Sequence, residues 1–421
     1  MQRNFLLTLF LFSILRSSAQ APEINSWIIN TTGATGYNNI PSNVQLVQYS
    51  ANWVYVTCTC IPGYDIGPWV GNPNIPANQN FLFRITRTPQ QNTGNLVNTP
   101  LGHIGTWSNG VSIFNAKDAS SYNNQGIWNQ NAIVVEGASF DTCLGHPAPN
   151  GEYHHHLHPK CLYNENDNTV HSPIIGYAFD GFPIYGAYAF ANTNGTGGIT
   201  RMKTSYRLRN ISARTSLPDG TVLNTNQYGP AINAFYPLGY YIEDFEYVSQ
   251  FGDLDEHNGR FCITPEYPSG TYAYFVTIDS LLQGEYPYTV GPQYYGLVPS
   301  GNTGPGSGHN VISEAVTVYT PTSIVADENI ETGYFAYPNP AMNQLVLQTK
   351  GSAGLTVDNR QYTINTVEII DIDGRKVISI LPSDENSPLT ISVRDLLPGV
   401  YFLRVTNNNN DMTVQKIVVA R

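Results

Sequence analysis

Four histidines, His154, His155, His156 and His158, fall within five residues, and His146 and His171 flank them. These six are two thirds of the nine in the chain, so the cluster is not a product of composition. Imidazole is the commonest side-chain ligand of transition metals and titrates near neutral pH. Packed rings repel one another once protonated, so a dense group is costly without a task. The stretch is where metal or substrate chemistry is expected.

Read as an extended strand from Gly151 to Pro159, side chains alternate in direction. His154, His156 and His158 then share one face, with Tyr153, His155 and Leu157 on the other. Residues two apart on one face stand roughly 6.5–7 Å apart. Two such imidazoles can converge on one ion about 2.0–2.1 Å from each nitrogen. Pro159 ends the strand or puts it at an edge, so His158 is expected to swing away. His146 can fold back onto the strand, and His171 precedes the next one. Asp180 lies in the turn FDGFPIYG, either as a further ligand or as a cap on backbone amides. His154, His156, His146 and Asp180 are the candidate metal ligands; His155 reads as structural. Imidazoles with tyrosines nearby suit Cu(II) or Zn(II), with copper narrowly preferred. The methionines, Met1, Met202, Met342 and Met412, offer no thioether near the cluster.

The elements that must hold these residues read as β-strands. The chain has 421 residues, 12% of them charged, and is rich in Gly, Pro, Asn, Thr and Tyr, as in turn-rich β proteins. The fold class expected is mainly β and antiparallel. Strands are predicted at Val44–Gln48, Trp53–Cys60, Phe81–Arg87, Ile133–Glu136, Ile174–Ala178 and Thr271–Ile278. The tyrosines and phenylalanines suit cross-strand packing better than a glycan groove. The acidic residues Asp253, Asp255 and Glu256 lack the glycine of a calcium loop and read as structural, paired with Arg260.

The net charge of −11 gives no electrostatic footprint for nucleic acid or anionic lipid. Arg3, the apolar run Phe5–Leu15 and Ser17-Ser18-Ala19 read as a secretory signal peptide over residues 1–19. No other segment is long and apolar enough for a transmembrane helix, so the mature chain is expected to lack one. Five cysteines in an exported chain suggest disulfides plus one leftover. A Cys143–Cys161 bridge would bracket the cluster. Cys58 or Cys60 is expected to pair with Cys262, a C-x-C thiolate metal site being the alternative.

A second unit follows an acidic linker, with boundaries expected at 22–319 for the first, 320–334 for the linker and 335–421 for the second. YPNP, DIDGRKV, LLPGVYFLRV and the terminal QKIVVAR occur in order there. This set resembles the C-terminal sorting domain of type IX secretion substrates in Bacteroidetes, a small β-sandwich. The resemblance implies the type IX machinery as partner, export through the periplasm and outer membrane, and release or surface attachment. The first unit resembles the YHYH-domain family, whose defining feature is a Tyr-His-Tyr-His tetrad in exported proteins. The resemblance rests on Tyr153–His156, Cys143-Leu-Gly-His-Pro147, Pro159-Lys-Cys161, the segment Ser172–Gly186, Asp253–Arg260 and Thr264–Phe275. The chain departs from the tetrad at His155, which replaces its second tyrosine.

No G-x-S-x-G, H-E-x-x-H or S-x-x-K motif stands out. A metal-activated water could be served by Asp180, Glu152 or Glu266. Three functions fit: an exported copper- or zinc-binding domain, a non-catalytic surface module for glycan or protein, and a metal-independent hydrolase using a His/Asp pair. The ligand and the reaction are not legible in the sequence.

Overall fold

A computed structural model describes residues 21–304, 306–321, 334–337, 341, 343–349, 364–371, 374–381, 389–397, 399–407 and 412–419. The expected signal peptide and most of the expected linker lie outside the described residues. The chain divides into two compact units, Met1–Thr320 and Pro321–Arg421.

The first unit is built on two sheets. One has four antiparallel strands in the order Thr317–Val318, Val44–Tyr49, Trp53–Cys58, Phe81–Thr86. Phe81, Phe83 and Ile85 alternate inward while Leu82, Arg84 and Thr86 are half-buried, the period of two that a sheet with one covered face demands. The other sheet has eight strands. Their order is Gly259–Cys262, Thr271–Phe275, Pro183–Tyr185, Ile174–Ala178, His103–Trp107, Ser112–Phe114, Tyr153–His155, His146–Pro147. Its neighbours are antiparallel except two pairs: Pro183–Tyr185 with Thr271–Phe275, and Ser112–Phe114 with Tyr153–His155.

The strands His103–Trp107 and Ile174–Ala178 are buried at every residue, because both faces of this sheet are covered. One core joins Val47, Val56, Phe83 and Ile85 of the small sheet to Tyr177, Phe179 and Phe275 of the large one. A second core, with Ile104, Ile113, Ile184, Tyr274 and Tyr294, lies on the other face. Eleven tyrosines of this unit are buried. Gly105 is required where these central strands meet, since a Cβ there would stand 2.7 Å from the Tyr177 carbonyl.

The segment Ile133–Glu136, expected as a strand, belongs to a short helix, Ala132–Glu136. The side chain of Asn131 accepts from the Ile133 amide and caps it, which overrides the β preference of Ile133, Val134 and Val135. The strand expected to reach Cys60 stops at Cys58, and Cys60 takes a left-handed φ of 67°. The expected pairing with Cys262 is not formed: Cys58, Cys60 and Cys262 are buried free thiols. Burial pushes the Cys58 thiol up to about 12, which suits apolar packing rather than thiolate chemistry. Arg260 does not pair with the acidic run; it donates to the carbonyls of Phe190 and Ala191. Asp255 instead accepts from its own turn and from Tyr272.

The second unit has a three-stranded sheet, Tyr334–Tyr337, Gln344–Thr349, Leu389–Ser392. Its four-stranded sheet runs Lys376–Ile380, Ile364–Ile370, Gly399–Asn407, Met412–Val419. Both are antiparallel, and Leu345, Leu347, Val367, Ile369, Leu403 and Ile417 share its core. The small β-sandwich expected from the sequence is present. No helix among the described residues is long and apolar enough to cross a membrane.

Candidate metal centre

The last three strands of the large sheet carry the histidines. His146 pairs directly with His154 in antiparallel register, and His154 pairs with Ser112 on the parallel side. His156 lies just past the end of its strand and stays on the face of His154, as alternation requires. The ligand nitrogens of His146, His154 and His156 all lie within 4.8 Å of one another, and all three residues are buried.

Each ring is fixed from behind. Nδ1 of His154 lies 3.0 Å from the Glu152 carbonyl and Nδ1 of His156 lies 2.6 Å from the Asn115 carbonyl. A carbonyl only accepts, so both Nδ1 atoms carry the hydrogen. Nδ1 of His146 lies 2.8 Å from the Ser139 hydroxyl, whose own hydrogen goes to the Glu136 carbonyl. The three Nε2 atoms are left as lone-pair donors. Those of His154 and His156 face each other at 3.2 Å. Phe114 stacks on His154 at 3.8 Å, and Phe140 meets His146 edge-on, so carbon walls the cluster.

A carboxylate flanks two of the three rings. Glu136 Oε2 lies 3.3 Å from His146 Nε2 and 3.2 Å from His156 Nε2. A tetrahedron whose centre is ~2.1 Å from each vertex has edges of about 3.4 Å. Three edges of this set, 154–156, 146–136 and 156–136, are of that length. Burial, with His146 and His156 alongside, holds His154 well below the usual histidine range, which keeps it a neutral ligand.

Behind the ligands sits a brace. Asp141 Oδ1 accepts from the amides of Cys143 and Gly145, fixing the turn that leads into His146. Its Oδ2 accepts from the Gly67 amide, the Trp69 indole and the Tyr153 hydroxyl, the last at 2.9 Å. Cys143 and Cys161 are joined in a disulfide, so the three histidines lie within its loop.

The other candidates lie elsewhere. Asp180 is fully buried, and Tyr274 and the amides of Gly296 and Phe182 satisfy its carboxylate. It caps its turn and is not in the converging group. Burial raises it to about 6. His158 pairs with Glu165 at 2.9 Å, both buried. His171 bonds the Ser172 carbonyl and packs on Tyr185 and Phe190. His155 points to the opposite side, against Tyr153 and Trp107, and burial beside His158 lowers it to about 3. Glu266 bonds Tyr185 and Glu152 bonds His103, so neither carboxylate joins the group. Glu136, Asn115, Ser139 and Asp141 were not singled out from sequence. The only local signal for Glu136 is the Asn131 cap three residues before the Val134–Glu136 turn.

Two family models match the chain. One, described as YHYH protein, covers residues 82–285, which hold every residue of the cluster. The chain carries a YHYH domain over residues 82–285. The second, the secretion system C-terminal sorting domain, covers residues 336–420, the β-sandwich. The histidine cluster thus lies within the YHYH match, and the sandwich is the sorting domain of an exported protein. No curated protein and no solved structure matches the chain.

The brace gives the first tyrosine of the YHYH tetrad a task. Tyr153 is not a ligand; it ties the histidine strand to Asp141. The tetrad's second tyrosine position, His155 here, faces away from the cluster.

Proposed function

We propose that the YHYH domain binds one transition-metal ion, zinc or copper, through His146, His154 and His156, with Glu136 as the fourth ligand. The observation that carries this reading is the pair of Nε2 atoms 3.2 Å apart, each with its Nδ1 hydrogen already committed to a carbonyl. Two lone pairs at that distance repel unless a cation lies between or beside them. Three of the spacings have the length of tetrahedral edges, which suits zinc; copper(II) favours flatter nitrogen and oxygen sets. Such an ion supplies Lewis acidity. The chain's residues orient three rings, keep His154 neutral and exclude water behind Phe114 and Phe140.

Export follows the route that the sorting domain implies: type IX secretion across the outer membrane, after a signal peptide at 1–19 has delivered the chain to the periplasm. The working unit is 22–319 and the tag 335–421.

Elemental analysis of the secreted protein, purified without a polyhistidine tag, tests the metal reading. About one zinc or copper per chain is expected after dialysis. The double substitution His154→Ala/His156→Ala should lose it, and Glu136→Gln should retain it more weakly. Wild-type protein with no more metal than the double variant would overturn the reading.

A further inference from the structure

His103 stands apart from the metal centre and forms a different constellation. It opens the central strand His103–Trp107 and is wholly buried, with Phe81, Phe83 and Phe179 edge-on to its ring at 5.2, 5.4 and 5.8 Å. Inside this carbon cage it has two polar partners. Nδ1 lies 2.8 Å from Glu152 Oε1, itself buried. Nε2 lies 3.0 Å from the Ser307 hydroxyl, which is only half-buried. A carboxylate, an imidazole and a hydroxyl are therefore joined in sequence from interior to surface.

We propose that Ser307, His103 and Glu152 form a nucleophilic triad that cleaves small carboxylic esters without metal. The geometry matches the roles such a triad needs. Glu152 accepts the Nδ1 hydrogen and so leaves the Nε2 lone pair toward Ser307. The Ser307 hydrogen has two acceptors within reach, His103 Nε2 and the Gly304 carbonyl at 2.6 Å. Rotation about one bond moves it between them.

The loop bearing Ser307 is pinned rather than free. The Gly308 amide bonds the Gly301 carbonyl, and the Leu82 amide bonds the Gly308 carbonyl. Asn302 bonds both the amide and the carbonyl of Arg84. The nucleophile is thus held against the edge of the small sheet. His309 and Phe81, 5.4 Å apart, crowd this edge and favour a small acyl group.

In the step proposed, Ser307 Oγ bonds the ester carbonyl carbon as its proton passes to His103 Nε2. The ester C–O bond then breaks, and the leaving alcohol takes that proton. Water attacks the acyl-serine, its proton passes through His103 back to Ser307 Oγ, and a carboxylic acid leaves. No oxidant, reductant or metal is needed.

The test uses the full mature chain, stripped of metal by a chelator and incubated with a fluorophosphonate probe, followed by peptide mass spectrometry. An adduct on Ser307 is expected, together with hydrolysis of p-nitrophenyl acetate. Ser307→Ala lies on a half-buried loop, should fold normally and should abolish both. His103→Gln should slow both by at least about 100-fold, the lower end of what a positioned base contributes. Folded wild-type protein with no Ser307 adduct would overturn the proposal. So would Ser307→Ala retaining the esterase rate, or an adduct that forms only after zinc or copper is restored. Because the assay is run without metal, its failure leaves the metal reading untouched.

Discussion

The hydroxyl of Tyr153 donates to Asp141 at 2.9 Å, and this bond adds to the strand pairing that joins the two chain segments of the histidine cluster. Tyr153 leads the strand of His154 and His156, while Asp141 holds the turn before His146.

Loosening that link should therefore weaken metal binding although neither residue touches the ion. Tyr153→Phe is expected to lower zinc affinity by roughly 10–100-fold, the range seen when groups behind a ligand are removed. It leaves Asp141 with one donor fewer in a buried site, at a cost of about 1–3 kcal/mol. Competition against a chromophoric chelator reads the first effect, and urea unfolding reads the second. Unchanged affinity in Tyr153→Phe would mean that the His146 turn is held by the remaining four donors alone.

The disulfide should act on the same loop from outside. Replacing Cys143 and Cys161 together by serine opens a loop whose ends are 18 residues apart, for a loss of about 3 kcal/mol. The midpoint of thermal unfolding should fall. The metal-free protein should show the full loss, because the closed loop restrains the unfolded chain whether or not an ion is bound.

Acid should act on His155 in a way that can be isolated. Its folded value is about 3, depressed from the ordinary 6.5 by burial and then by His158. Between these values the unfolded chain takes up a proton that the folded chain refuses. Stability from this group is therefore intact above about pH 6.5 and declines as pH falls toward 3, at about 1.4 kcal/mol per unit. Asp180, raised to about 6, pulls the opposite way, so total stability conceals the effect. The difference between wild type and His155→Tyr removes that common background. Metal-free His155→Tyr should gain about 2 kcal/mol on wild type between pH 7.5 and pH 5, whatever its constant offset. A flat difference across that range would show that His155 is free to protonate in the fold.

Alternation along the tetrad strand was enough to separate His154 and His156 from His155, because side-chain direction in a strand is local geometry. Residues 146 and 154 come together through a short antiparallel return, the fold-back expected of His146. Glu136 could not be found in this way. Its approach depends on where a short capped helix lands directly after the Asn129–Asn131 strand, and nothing in its neighbours marks it. The Ile133–Val135 run even pointed to the wrong element, since β-branched residues outvoted one asparagine cap. Asn115 and Ser139 were hidden for a related reason: they serve through a carbonyl and a hydroxyl, which carry no distinctive pattern. Asp180 stood out in sequence for its glycine-flanked turn, and that turn is what it serves. The Ser307 pairing joins residues 204 positions apart and is invisible without the fold.

Every side chain in the two large interiors of the first unit comes from before Thr320, and every one in the sandwich interior from after Pro321. Among the described residues, a cut between them leaves each interior with all the side chains that build it. The parcel can lose its label at the cell surface and arrive with its contents undisturbed.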